Sequence, residues 1–247
     1  MKADPFALLK LLDVQVLDSR LDQLRHGLEH MPEAGELASL RQQRTEVDNR
    51  ARDVRVSVDD LTREQKKADA DVEQVKARRK RDQDRIDQGL VANPKDLERM
   101  QGELVSLARR ITSLEDTELE VMEQLETAQH ELDSLTVELA GLDEQIASVS
   151  AELDEKAGTL NQQLAESGEE RKQVAAELPE DLMALYDRLR VQKGGVGAAA
   201  LRARRCGGCR LELNAADLGV IAKAPSNEVL RCEECNRILV RTSESGI

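Results

Sequence analysis

The sequence predicts a mainly α protein, a long antiparallel coiled-coil hairpin with a small cysteine-bearing module at its C-terminal side. Three observations lead there. Apolar residues step by three and four without a slip from Leu97 to Leu153. A weaker ladder of the same period lies upstream, beyond a short turn-forming segment. All four cysteines lie among the last 42 residues.

The strong ladder has seventeen positions, of which only Glu118 is polar. That fidelity over eight heptads is a coiled-coil signature. The upstream ladder runs from Leu37 to Ile86 and carries polar residues at Arg44, Gln65, Arg79 and Asp82. Between them stands Gly89-Leu90-Val91-Ala92-Asn93-Pro94-Lys95-Asp96. Gly89 suits the left-handed residue that ends a helix. Asn93 suits the next N-cap, Pro94 the first helical position and Asp96 the positive helix end. The chain therefore turns at about residues 87–96. Pairing Ile86 with Leu97 and stepping outward sets Leu37 opposite Ile146 and Gln65 opposite Glu118, so the polar exception of one ladder meets a polar position of the other. Charge favours the same pairing. Ser113 to Glu155 holds fourteen acidic residues and no Lys or Arg, while Arg41 to Val72 carries Arg41, Arg44, Arg50, Arg52, Arg55, Arg63, Lys66 and Lys67.

An N-terminal ladder, Val14 to Met31, is out of phase with the next, and Pro32 and Gly35 predict a break at about 31–36. It reads as a separate helix packed on the far end of the long one, which weakens at Gly158 and Gly168. A short helix over 179–192 and a Gly194-Gly195 hinge follow. The expected domains are 1–178, the helical hairpin; 179–195, a connecting helix and hinge; and 196–247, the cysteine module.

Composition narrows the function. The 247 residues include 49 acidic and 36 basic side chains, a net charge of −13, with one Phe, one Tyr and no Trp. So few aromatics exclude modules that stack bases on rings. The net charge opposes non-specific nucleic-acid binding by the whole molecule. No run of 18 apolar residues occurs, so no membrane span is expected. The N-terminus has no signal-peptide pattern, which places the protein in the cytoplasm. No phosphate loop, nucleophile motif or His-Glu metal helix appears, and the expectation is a non-enzyme.

Cys206-Gly207-Gly208-Cys209 and Cys232-Glu233-Glu234-Cys235 form two Cys-x-x-Cys pairs. Two intervening residues let one backbone turn aim both thiolates at one ion, and two such turns complete a tetrahedron around Zn²⁺. The histidines, His26, His30 and His130, are remote in sequence. One structural zinc held by Cys206, Cys209, Cys232 and Cys235 is expected, with no open coordination position. Disulfides or redox thiols are disfavoured without a secretory signal or a βαβ pattern. Gly207, Gly208 and Asn236 tolerate the positive φ of such knuckles. Val196–Arg205, Glu228–Arg231 and Arg237–Arg241 read as short strands and Asn214 caps a short helix. A module this small should depend on its metal.

The cysteine module with Arg237-Ile238-Leu239, the turn Asn93-Pro94-Lys95-Asp96-Leu97 and the segment Tyr186 to Arg190 together resemble the bacterial C4-type zinc-ribbon family with an N-terminal coiled-coil hairpin. The order of hairpin, tyrosine helix and ribbon makes the likeness specific. Asn236 departs from the Gly usual there. The resemblance implies a sigma-factor chaperone or flagellar regulator, with a sigma factor, the transcription machinery or messenger RNA as partner.

Two basic clusters are the candidate contact sites. Lys76, Arg78, Arg79, Lys80, Arg81 and Arg85 approach the turn, with Arg109 and Arg110 on the returning helix. Arg202, Arg204, Arg205 and Arg210 flank the first cysteine pair. They fit an acidic protein surface or nucleic-acid phosphates. The bland alternative is a solvated face and a basic strand beside thiolates. The leading expectation is an adaptor or chaperone that holds two binding surfaces on a stiff hairpin. The others are a regulator that inserts its tip, with Asp84, Asp87 and Asp96, into the RNA polymerase secondary channel, and a DNA- or RNA-binding protein.

Overall fold

The computed structural model describes all 247 residues. In order they form α1 (Pro5–Glu29), α2 (Pro32–Asp87), α3 (Pro94–Ala176), α4 (Glu180–Gln192), β1 (Ala198–Arg202), β2 (Arg205–Cys206), α5 (Ala215–Lys223), β3 (Leu230–Arg231) and β4 (Ile238–Val240). The chain divides into two compact units, residues 35–150 and residues 1–34 with 151–247.

Residues 35–150 form the antiparallel hairpin. At its turn Gly89 takes φ +68°, and the N–H groups of Gly89 and Leu90 bond the carbonyls of Ile86 and Arg85 at 3.0 and 3.1 Å. Asn93 Oδ1 accepts the Lys95 N–H at 3.1 Å and Pro94 opens α3. The turn thus uses the residues the sequence nominated. Val47, Ala51, Leu135 and Leu142 form a buried cluster edged by Leu40, Val54, Leu132 and Leu139. These are layers of the expected register. Gln65 and Glu118 are both half-buried among exposed neighbours, and the Lys76 ammonium feels the Glu118 charge.

The charge pairing is thinner than expected. Of the eight basic residues between Arg41 and Val72, Arg44 reaches Asp143 at 2.9 Å and Arg50 reaches Glu131 at 4.0 Å. Arg52 and Arg63 turn back to Asp48 and Asp60 on their own helix, because a partner three or four residues away is nearer than one across the seam.

The second unit joins α1, the last turns of α3, α4 and the ribbon. The break lies at His30–Met31 rather than across 31–36: Pro32 is already the first residue of α2, a position it favours, and Gly35 is helical. Gly158 and Gly168 likewise sit within an uninterrupted α3. A single glycine costs a helix only about 1 kcal/mol, which long flanking turns absorb.

Helix α1 does more than lean on α3. Its Leu8, Leu11 and Val14 share one core with Leu178, Leu182, Tyr186 and Leu189 and with Ala198, Ile238 and Val240 of the sheet. The sheet order is β2-β1-β4-β3, with β1 parallel to β4 and the other pairs antiparallel. Strand alternation sends Ile238 and Val240 to this core and Leu239, with Ala199 and Leu201, to a second one around Cys206, Leu213, Ile221 and Cys232. The N-terminal residues add to the sheet edge: Ala3 N–H bonds Asn227 O at 2.8 Å and Val229 N–H bonds Met1 O at 3.2 Å. The ribbon is therefore not free-standing.

A polar cluster fixes this unit. Buried Asp18 accepts from Arg171 Nε at 2.9 Å and from Tyr186 Oη at 2.8 Å, with Arg190 Nε at 3.5 Å. Buried Gln15 accepts the Gly197 N–H at 2.7 Å and donates to Gly195 O at 3.0 Å. Burial and the bond to Asp18 push the Tyr186 phenol well above its usual range. Replacing Asp18 by Ala leaves two guanidiniums facing an empty partner position, and the expected loss is about 3–5 kcal/mol in the second unit's chemical unfolding. Asp22→Ala, at a half-exposed position, is expected to cost under about 1 kcal/mol. Equal losses would discount the buried cluster.

Candidate metal centre

Each Cys-x-x-Cys pair is built the same way. Arg210 N–H bonds Cys206 O at 2.7 Å, and Asn236 N–H bonds Cys232 O at 2.8 Å. Cys206 N–H bonds Leu211 O and Cys232 N–H bonds Arg237 O, both at 3.0 Å. The residue after each second cysteine is left-handed, Arg210 at φ +64° and Asn236 at φ +61°. Asn236 thus does what the sequence assigned to it. Gly207 and Gly208 do not: neither has positive φ. They are needed for space. A Cβ on Gly207 would meet Ala200 O at 3.0 Å, and one on Gly208 would meet Arg237 Cδ at 2.7 Å.

The four sulfurs converge within 4.8 Å of one another. Cys206 Sγ lies 3.8 Å from Cys235 Sγ, and Cys209 Sγ lies 3.9 Å from Cys232 Sγ. A tetrahedron with Zn–S bonds of ~2.3 Å has edges of ~3.8 Å, so the donor set fits the ion. Disulfides, at ~2.05 Å, are not formed. The surroundings tune the thiols unequally. Burial raises Cys206 and pushes Cys232 up to about 12. At Cys235 burial is outweighed by hydrogen bonds from the Arg237 backbone and side chain, which bring it to about 7.

Comparison with known proteins agrees with this geometry. The family model of the CT398-like coiled-coil hairpin domain matches residues 14–194, and that of the C4-type zinc ribbon domain matches residues 205–239. The chain belongs to the CT398-like coiled-coil hairpin family. Its ribbon holds one structural Zn²⁺ on four cysteines. An uncharacterized protein of Mycobacterium tuberculosis is 32% identical over 241 residues, 98% of each chain, and one of Mycobacterium leprae is 27% identical over 90% of this chain and 95% of its own. A Mycobacterium smegmatis structure superposes with a TM-score of 0.83 at 29% identity, covering 98% of this chain and all of that one. CT398 of Chlamydia trachomatis shares the fold, with a TM-score of 0.66 at 19% identity over 96% and 98% of the two chains.

In this CT398-like protein the basic residues have unequal circumstances. Lys76 is paired with Glu115 at 2.8 Å, and Arg78 is engaged by Glu103. Arg79, Lys80, Arg81, Arg85, Arg109 and Arg110 are exposed, and none has a carboxylate within 4 Å. Arg79 was expected in the seam; it lies with Lys80, Gln83 and Asp84 along a groove beside Ile111, while Asp82 is the half-buried one. On the ribbon Arg202 pairs with Glu244 at 3.1 Å and Arg205 with Glu212 at 3.5 Å. Arg204 donates to Gly246 O at 3.2 Å, and Arg210 stands exposed. The expected strand over 196–205 is interrupted at Ala203 and Arg204, both left-handed, which make a two-residue hairpin between β1 and β2. The residues missed in the sequence are Gln15, Asp18 and Gly197, none of which stands in a motif; Arg237 was read as part of the ribbon segment after the second knuckle, without its bonds to the linker.

Metal analysis of protein purified without chelator should give about one zinc per chain. Cys232→Ser should abolish it while residues 35–150 stay helical. Because Cys206 and Cys232 hold their protons at neutral pH, zinc uptake by the metal-free, reduced protein should release at least those two, read with a pH indicator. The sign follows: protons compete with the ion, so zinc affinity falls as pH falls. Affinity that is flat between pH 5 and about 8 would contradict this assignment of thiol states.

Proposed function

We propose that the protein is a non-enzymatic cytoplasmic adaptor that offers a partner two surfaces, a cation collar near the hairpin turn and the ribbon. The observation behind this reading is the set of uncommitted cations, Arg79, Lys80, Arg81, Arg85, Arg109 and Arg110, gathered on residues 35–150 of a chain whose net charge is −13. Lys76 and Arg78 are answered by Glu115 and Glu103, and these six, close together near the turn, have no carboxylate within 4 Å. A closed Cys₄ site offers zinc no substrate position, which supports a structural ion and a binding role. No helix is long and apolar enough to cross a membrane.

The partner fits transcription or post-transcriptional regulation, with a sigma factor or other transcription component the leading candidate by family resemblance. The functional division follows the sequence: 1–178 as the helical body, 179–195 as connector and 196–247 as ribbon. The polymerase-channel reading is less favoured, since Asp87 already accepts from Gln83 at 2.9 Å and Asp96 pairs with Arg99 at 3.6 Å. Nucleic-acid binding through the ribbon is likewise weakened by the commitments of Arg202, Arg204 and Arg205, leaving Arg210.

The test is a pull-down from native lysate with wild type and the triple variant Arg79→Glu, Lys80→Glu, Arg81→Glu, after circular dichroism shows that its helix content is kept. Recovery of the principal partner should fall several-fold, and what remains should depend less on salt. Unchanged recovery across a salt series would remove the collar from the mechanism. Loss only on nuclease treatment would select nucleic acid instead of protein.

A further inference from the structure

We propose that Arg237 is the outer-sphere partner of the metal centre and that, through it, zinc occupancy fixes the seating of the ribbon strands on α1 and α4. Arg237 follows the left-handed Asn236 of the second knuckle. Its backbone N–H and its guanidinium lie beside Cys235. Its carbonyl accepts the Cys232 N–H at 3.0 Å. Its Cδ fills the space left by the missing Cβ of Gly208 in the first knuckle. One side chain thus touches both halves of the metal site.

The same guanidinium faces the other way too. Nε donates to Val196 O and Nη2 to Lys193 O, both at 2.9 Å. Those carbonyls bracket Gly194 and Gly195, whose φ values of +66° and +95° make the bend after α4. Gln15 of α1 then holds the bend through Gly195 O and the Gly197 N–H, and Tyr186 Oη lies 3.3 Å from Gln15 Oε1. The path runs from the second knuckle to the guanidinium, to linker carbonyl, to Gln15 and α1.

Arginine suits this post because its donors form a rigid planar fork that serves several acceptors at once. With zinc bound, the two knuckles are tied to one ion, and Arg237 is anchored between them by its carbonyl at the Cys232 N–H and its Cδ at Gly208. Outer-sphere donors in turn orient the ligands and hold the ion. Without the metal the two knuckles lose their common tie, and Arg237 loses the fixed end of its bridge. The linker then loses the support of Arg237 at its two carbonyls and keeps the bonds from Gln15 and to Arg190 O.

Hydrogen exchange of the full-length reduced protein, with Zn²⁺ and after chelation, tests the path. In wild type, chelation should speed exchange of amides in 5–21 and 193–198 by about tenfold or more, and added Zn²⁺ should reverse it. Arg237→Met should still bind one zinc but lose it to a chelator about 10–100-fold faster, with fast α1 exchange whether or not zinc is present. Arg237→Lys keeps the charge without the fork; it should slow zinc loss relative to Met yet leave α1 fast. Gln15→Ala cuts the path at the other end. It should retain zinc normally while making α1 exchange independent of zinc, so it decides the matter even if Arg237→Met takes up no metal. Identical α1 exchange in wild type with and without zinc, or a zinc-dependent difference surviving in Gln15→Ala, overturns the proposal.

Discussion

Asp18 is a carboxylate out of water, and the unit formed by residues 1–34 and 151–247 is arranged around satisfying it. Removing such a charge from solvent costs several kcal/mol unless opposite charge and hydrogen bonds replace the lost hydration. Here the replacement comes from three places: Arg171 near the end of α3, Tyr186 in the middle of α4 and Arg190 one turn later. Each has to be at one distance only. That requirement joins α1, α3 and α4 at one buried point within their shared apolar core. The buried apolar residues around it, Leu11, Val14, Leu182 and Leu189, supply the driving force; the carboxylate ties the three helices together.

The consequence reaches the linker. Two adjacent glycines read as a free hinge in the sequence, since glycine adopts left-handed φ at little cost. In the fold the second of them is bonded on both sides, by Arg190 O to its N–H at 2.9 Å and by Gln15 to its carbonyl. Gly197 then presses against Tyr186, where a Cβ would come within 2.7 Å of the tyrosine carbonyl. The glycines allow a tight path and the tyrosine helix holds it. Mobility is a property of the bonds a glycine's neighbours fail to make, and here they are made.

What could be read from the sequence was local or periodic. The heptads, the Gly89 stop, the Asn93 and Asn214 caps and the cysteine spacing all express geometry within a few residues, and each stands as expected. What escaped was long-range. Gln15 and Asp18 fall on the polar face of an amphipathic ladder, and nothing near them says that Tyr186, 168 residues after Asp18, will cover that face. Ala203-Arg204 lacks the Asn-Gly signature of its turn because tertiary contacts replace it: the carbonyls of Glu244 and Ser245 accept both N–H groups at 2.8 and 3.0 Å. Gly35 is helical just past the break, and the weakening expected at Gly158 and Gly168 leaves α3 unbroken, since a weak local preference yields to the helix on either side.

The lone tyrosine turns this architecture into a built-in optical label. With no tryptophan in the chain, Tyr186 is its main near-ultraviolet chromophore. It sits wholly inside one unit, so near-ultraviolet signals report that unit and are blind to residues 35–150. Its ionisation is held back by burial and by the carboxylate beside it. As pH climbs past the ordinary phenol value of about 10, tyrosinate absorbance stays low while the helices remain closed and rises when they open. An alkaline titration therefore follows the opening of one part of the molecule, while far-ultraviolet dichroism follows the helices of both.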